Sequence, residues 1–377
     1  MDFGLSEEQE LLQQSARDFL AHECPTALVR DVMREGDGFP RTLYDKIARM
    51  GWTGLIVPEA VGGLGLSMLD LAVLAEEMGR AALPGPFFSS SVLAAMSLIA
   101  SSARSHKREW LPRLARGDAV GTLAFLEESD RLDAAGIAAR CAKTRNGYRL
   151  NGTKLFVTDA HVADFIVAAF RGRGTGEAGV TLFVIPRDTP GISVSPLSNV
   201  DQTRRPCEVV FRNVDLPSSA RLADDGAGWK VLSRVMDAAC VVLAADSLGG
   251  AQRALEMSVE YSKVRQQFGR PVGSFQALKH MAAEMVSDIE PARSLVWYAA
   301  YAFDHERRGA SRAASMAKAR LSDVYCRTTN HAVQMHGGIG FTWEHDLHFW
   351  FKRAKWNETA FGDATFHRER VAQLAGL

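Results

Sequence analysis

An excess of charge of one sign is absent from this chain. Lysine and arginine total 44, aspartate and glutamate also total 44, and the formal net charge is zero. A balanced chain has no general electrostatic pull toward nucleic acid or an anionic membrane, so nucleic acid is not an expected partner. Long apolar runs are missing too. The longest candidate, Ala238 to Ala245, ends at Asp246 and is too short to span a bilayer, so no membrane insertion is expected. Met1 to Ser6 runs into Glu7 and Glu8, without the basic start or apolar stretch of a secretory signal. Cysteine is sparse: Cys24, Cys141, Cys207, Cys240 and Cys326 are odd in number and widely scattered. That pattern excludes a disulfide framework and a zinc site, predicts no bound metal, and suits a reducing cytoplasm. The glycine-rich stretch around Gly62, Gly63 and Gly65 has no lysine placed for a phosphate-binding loop.

What is present is ample core-forming material. The 377 residues are 47% hydrophobic, enough for two or three domains in one cooperative unit. Three segments differ in periodicity. In the first, Ser6 and Gln9 have the form of a capping box, and Leu12, Ala16, Phe19 and Leu20 recur at helical spacing. Pro40 opens a second helix with Leu43, Ile47 and Met50 on one face, and a third begins near Ser67. From about residue 119 the pattern becomes short strands: 121–126, 137–142, 148–150, 153–158, 165–170, 180–185 and 208–211. Asn151-Gly152 predicts a hairpin turn between two of them, because both residues tolerate positive φ. An antiparallel barrel or sandwich ending near Leu222 is expected. Arg171 to Gly176 reads as a solvated loop. Long helical runs follow from about Gly228, through 275–303 and 310–336, and predict a bundle. The expected fold is mainly α with a middle β domain, divided at 1–118, 119–222 and 223–377.

Four stretches, in this order, resemble the acyl-CoA dehydrogenase family: Val57-Pro58-Glu59-Ala60-Val61-Gly62-Gly63-Leu64-Gly65, then Asn151-Gly152-Thr153-Lys154-Leu155-Phe156-Val157-Thr158. Arg265-Gln266-Gln267-Phe268-Gly269-Arg270-Pro271-Val272 and Gln334-Met335-His336-Gly337-Gly338-Ile339-Gly340-Phe341-Thr342 complete the set. The resemblance runs along nearly the whole chain. It implies an N-terminal helical domain, a β-barrel or sandwich, a C-terminal four-helix bundle, and FAD held between subunits. Phe156 and Thr158 match the family's Trp-Ile-Thr beside the flavin ring; phenylalanine keeps an aromatic face and the hydroxyl can reach a flavin heteroatom. The backbone near Leu126 matches a further flavin contact. Arg265 matches the arginine at the pyrophosphate, where a planar cation suits phosphate oxygens. Phe268 and Gln276 match positions near the adenosine, Gln267 beside them is a further implied cofactor contact, and Gln334, Gly337 and Gly338 match the dinucleotide-facing turn. His336 reads as a structural hydrogen-bonding residue.

The family reaction takes the α proton of an acyl-CoA thioester and passes the β hydrogen as hydride to flavin N5, so a carboxylate must accept the proton. Two places in the family carry that glutamate. Here the C-terminal place falls on Phe361 and the place on the first long bundle helix falls on Ala239. The arginine that follows the helix position in the family is Cys240, and Asp237, which helps set that register, is the matching substrate-side residue. The family's Thr-Glu-Pro and Gly-Ser-Asp pattern also departs, reading Leu126-Glu127-Glu128-Ser129-Asp130. Asp363 is a candidate replacement base, set against a plainer role as N-cap of the helix run from Phe366. Glu59 and Glu127 are further candidates; Asp246, two turns beyond Ala239, lies about 10 Å along the helix, too far to substitute. Base and partner arginine are absent together, as in a subunit that works beside a base-bearing homologue. The implied partners are an acyl-CoA, a homologous subunit in a homo- or heterotetramer, and an electron-transfer flavoprotein or similar acceptor. Alternatives are a self-sufficient enzyme using Asp363, a flavin-dependent oxygenase-like relative, and a non-catalytic flavin-binding structural partner.

Overall fold

The computed structural model describes residues 4–34, 37–224, 226–306 and 308–377; Met1, Asp2 and Phe3 of the N-terminal reading lie outside them. Helices α1 (Glu7–Glu23), α2 (Thr26–Arg34), α3 (Arg41–Arg49) and α4 (Met68–Arg80) open the chain. A π-helical stretch, Phe88–Ala94, then runs into α5 (Ala95–Ile99), followed by α6 (Arg104–Ala115). The strands are β1 (Gly121–Ala124), β2 (Arg140–Lys143), β3 (Gly147–Thr158), β4 (Phe165–Arg171), β5 (Val180–Pro186), β6 (Ile192–Pro196) and β7 (Pro206–Pro217). Helix α7 (Gly228–Val264), a two-stranded hairpin of β8 (Gln266–Gln267) and β9 (Arg270–Pro271), α8 (Gln276–His305), α9 (Ala310–His336), α10 (Leu347–Thr359) and α11 (Ala364–Ala375) complete it. None of the described helices is long and apolar enough to cross a membrane.

The local signals set several boundaries. Ser6 and Gln9 form their reciprocal capping box, and Ser67 forms another with Asp70 at the start of α4. Asp363 caps α11 by accepting the Phe366 amide at 2.8 Å. The chain divides into two compact units. One contains 1–31, 67–83 and 240–377; the other contains 32–66 and 84–239.

In the first unit, α9 packs against α8, α10 and α11, and α4 packs against α1 and α8. Helices α4 and α7 meet backbone to backbone. A Cβ added at Gly79 would stand 2.0 Å from the Asp246 carbonyl oxygen, and one at Gly249 would stand 1.7 Å from the Glu76 carbonyl oxygen. Two buried polar side chains beside that crossing each make a hydrogen bond: Asn357 donates to Asp246 at 2.8 Å and Arg353 donates to the Leu83 carbonyl at 2.6 Å.

In the second unit, seven strands form one sheet in the order β1-β4-β2-β3-β7-β6, with β5 on the free side of β4. Its core includes Leu150, Val157, Ile166, Phe170, Phe183 and Phe211. Two expectations are corrected here. The sheet is mixed, since β1 and β2 both pair with β4 in parallel. Asn151-Gly152 does not turn the chain; it lies within β3, where the pairing with β7 slips between Leu150 and Gly152. The same backbone tolerance that serves a turn serves a bulge, and Gly152 takes φ +149 with a would-be Cβ only 2.4 Å from that of Ala139. The β2–β3 connection lies instead at Arg145-Asn146, closed by the Thr144 amide on the Gly147 carbonyl. The loop after β4 is exposed, yet it is tied: Arg171 reaches the carbonyls of Ile137, Ala134 and Gly176.

Candidate flavin and substrate site

Within the second unit, β3 carries Phe156 and Thr158. The strand bulges again between Lys154 and Val157, and Phe156 adopts φ +53, a left-handed conformation that a bulky residue holds only under constraint. The bulge turns the ring outward, leaving Phe156 57% exposed between neighbours that are buried or half-buried. Thr158 is only 3% exposed. Its carbonyl accepts the Thr122 hydroxyl at 2.6 Å, whereas its own hydroxyl makes no hydrogen bond among the described residues. Leu126 lies just past β1, with its carbonyl accepting the Leu155 amide at 2.9 Å.

Within the first unit, Arg265, Gln267 and Phe268 follow the end of α7 and are exposed. Phe268 is 91% exposed at φ +54. Gln276 is the first residue of α8, also exposed. Gln334, Gly337 and Gly338 end α9 on the surface, and Gly337 turns the chain at φ +64 while its amide returns to the Gln334 and Val333 carbonyls. A Cβ at either glycine would meet nothing within 4 Å, so neither glycine is required by packing within the chain. His336 joins the two segments structurally. It is buried, hydrogen-bonded through Nδ1 to the Ala332 carbonyl at 2.8 Å, and its ring lies 4.6 Å from that of Tyr261 in the last turn of α7.

The acid-base positions look different. Ala239 and Asp237 are buried on α7. Phe361 stands at φ +59 between α10 and α11, its carbonyl accepting His367 Nε2–H at 3.0 Å. Lys318, buried on α9, donates to the Gly362 carbonyl at 2.7 Å, the Glu358 carbonyl at 3.2 Å and Ser322 Oγ at 3.0 Å. Burial pushes its amine down to about 8. The same cause pushes His367 down to about 3, with Lys318 adding to it. Cys240 Sγ lies 3.7 Å from His367 Nε2. One Asp363 oxygen is engaged at the α11 cap. Glu59 is exposed beside the Gly62–Gly65 turn, and the Glu127 carboxylate is held by Lys154 and the Ala138 and Ala139 amides. Among the described residues no group of histidine, cysteine, aspartate and glutamate is arranged to hold a metal ion.

Sequence reasoning missed the Lys154–Glu127 pair and the Lys318–His367–Cys240 cluster. A signal for the first exists: Lys154 shares the inward phase of Leu150 on β3, where a lysine needs a partner. The second carries none, because the three residues meet only through tertiary packing.

An exposed aromatic face beside an unengaged threonine hydroxyl suits a flavin ring. An exposed arginine and an open glycine turn, joined through Tyr261 and His336, suit a dinucleotide. Within its own unit, each set of residues fits its part of FAD, the cofactor of an FAD-dependent oxidoreductase. The acyl-CoA dehydrogenase N-terminal, middle and C-terminal domain families match residues 6–118, 122–214 and 226–375. The chain is 32% identical over 380 residues to the probable acyl-CoA dehydrogenase YngJ of Bacillus subtilis (strain 168), covering 99% of each. Butyryl-CoA dehydrogenase from Megasphaera elsdenii superposes with a TM-score of 0.92 at 28% identity, covering 100% of both chains. A chain of the ChsE4–ChsE5 complex from Mycobacterium tuberculosis superposes with a TM-score of 0.90 at 26% identity, covering 100% of this chain and 99% of that one. The protein belongs to the acyl-CoA dehydrogenase family.

Proposed function

We propose that this chain is the base-lacking subunit of a heteromeric acyl-CoA dehydrogenase, in which a homologous subunit supplies the carboxylate that takes the α proton. The observation that carries this reading is the joint one at the acid-base corner. Phe361 and Ala239 stand where the family glutamates fall, and Cys240 stands where the family arginine falls. The positions that match the FAD contacts, Leu126, Phe156, Thr158, Arg265, Gln267, Phe268, Gln276, Gln334, Gly337 and Gly338, are nevertheless still able to hold the flavin, with Phe156 keeping an aromatic face and the Leu126 contact made by backbone. A flavin clasp without a base is what such a partner subunit would present. When bound, FAD supplies the hydride acceptor; this chain's residues hold and orient it. The relative from Mycobacterium tuberculosis occurs in a complex of two different subunits, which supports the same arrangement here.

The lining around Phe361 supports the reading further. Lys318 and His367 both bond to backbone carbonyls of the Phe361-Gly362 turn, and neither points to a proton-transfer role. Asp363 is a poor substitute, because its carboxylate caps α11. The self-sufficient alternative therefore predicts a near-inert Asp363→Asn variant, a loss of roughly 10²–10⁴ in rate. The subunit reading predicts no such loss in the assembled complex. The three modules at 1–118, 119–222 and 223–377, an electron-transfer flavoprotein as acceptor, and a cytoplasmic setting for the five free cysteines belong to the same proposal. The test is co-expression with a base-bearing homologue. A stable FAD-containing heteromer that oxidises acyl-CoA supports the proposal; full FAD content and full activity from the single purified chain would overturn it.

A further inference from the structure

We propose that the buried Lys154–Glu127 ion pair is a positioning device for the flavin-facing residues, clamping the β3 bulge that presents Phe156 and Thr158 onto the chain that leaves β1. The inference rests on the reading of those two residues as flavin-facing. Lys154 is fully buried, at 0% exposure, and the Glu127 side chain is 11% exposed. A charge taken out of water is unfavourable unless partnered, and a well-packed apolar side chain would fill the same space at less cost. A lysine kept there calls for a geometric role.

Its contacts supply one. Lys154 Nζ donates to Glu127 Oε1 at 2.5 Å and to the Phe125 carbonyl at 3.2 Å, with the Phe170 ring centroid 5.3 Å away. The next residue, Leu155, donates its amide to the Leu126 carbonyl at 2.9 Å. Phe125, Leu126 and Glu127 are therefore each bound by one of two consecutive β3 residues. The Glu127 carboxylate also accepts the Ala138 amide at 3.1 Å and the Ala139 amide at 3.0 Å, tying in the segment that enters β2. On the other side of the bulge, the Thr122 hydroxyl of β1 holds the Thr158 carbonyl. The strained Phe156 thus sits between two grips, one from β1 and one from the chain that leaves it. A left-handed phenylalanine persists only where its surroundings over-determine it, and these bonds are the surroundings.

The test compares wild type with a Lys154→Met/Glu127→Gln double variant, which removes both charges and leaves no isolated ion to unfold the domain. Apoprotein is titrated with FAD, following flavin fluorescence and the visible absorption bands of the bound form. The proposal expects a double variant with cooperative unfolding close to wild type but FAD affinity lower by about tenfold or more, one decade in an equilibrium constant. Its bound-flavin bands should also move toward those of free flavin. Wild-type affinity and bands in the folded double variant would overturn the clamp. Native-state hydrogen exchange on the wild type gives a reading independent of any variant. Amides of Leu155, Ala138 and Ala139 protected like the central strands support the proposal, and exchange at the rate of exposed loops overturns it. Wild type that takes up no FAD in any assembly would overturn the flavin reading beneath it, a failure distinct from the others.

Discussion

Phe156 carries a conformational cost that its exposure does not repay within the chain. Its ring is more exposed than buried, yet its backbone sits at φ +53, which costs an L-residue about 1–2 kcal/mol. Glycine would relieve that strain but adds an unfolded-state entropy cost of roughly 0.5–1 kcal/mol. Phe156→Gly is therefore expected to leave apoprotein stability within about 1 kcal/mol of wild type by urea denaturation, while FAD retention falls sharply. Equal FAD retention would mean that the strain serves something else. Arg265 makes the complementary case. It is exposed, just past α7, and surface substitutions usually change stability by about 0.5 kcal/mol or less. A charge-assisted hydrogen bond is worth about 1.5–3 kcal/mol, so Arg265→Ala should weaken FAD binding by roughly 10- to 100-fold in equilibrium dialysis. Both residues were legible in the sequence through the motifs that contain them. The bulge was not, because nothing in a phenylalanine announces positive φ.

At the scale of elements, the turn between α10 and α11 is held from three directions. Lys318 of α9 donates to the Gly362 carbonyl, His367 of α11 donates to the Phe361 carbonyl, and Asp363 caps α11. Two buried histidines make the first unit sensitive to acid. Burial, then Lys318, holds His367 down to about 3; burial, then Lys352 and Arg30, holds His348 down to about 4. Both values lie below the unfolded imidazole, near 6.5, so between those limits the unfolded chain binds more protons than the folded one. The associated stability is complete above about pH 6.5 and is lost as pH falls toward 4 and then 3. Urea midpoints should drop between pH 7 and pH 4.5, and His367→Gln should flatten that dependence; an unchanged slope would remove His367 from the account. The long helices α7, α8 and α9 were readable from apolar periodicity, and the caps at Ser6, Ser67 and Asp363 from residue type. The parallel pairing of β1 and β2 with β4 was not readable, since it depends on which distant strands meet. Asn151-Gly152 was misread because a bulge and a turn ask the same freedom of the backbone.

For the whole molecule, the departures from the family pattern fall at two places, the 126–130 stretch and the acid-base positions. The matches to FAD contacts lie on β3, after α7, at the start of α8 and at the end of α9, whereas the acid-base losses are Ala239, Cys240 and Phe361. Order of motifs made the family legible from sequence, because four short stretches in one sequence order rarely coincide by chance. The structure adds a buried cluster that the sequence did not signal: Cys240, His367 and Lys318, brought together from α7, α11 and α9. The central claim is that this chain clasps FAD but borrows its base. The most direct measurement is anaerobic bleaching of the flavin by an acyl-CoA, with the chain reconstituted alone and then assembled with a base-bearing homologue. The account predicts no bleaching on the catalytic timescale from the chain alone and stoichiometric bleaching from the assembly. Equally fast bleaching by the chain alone would contradict it.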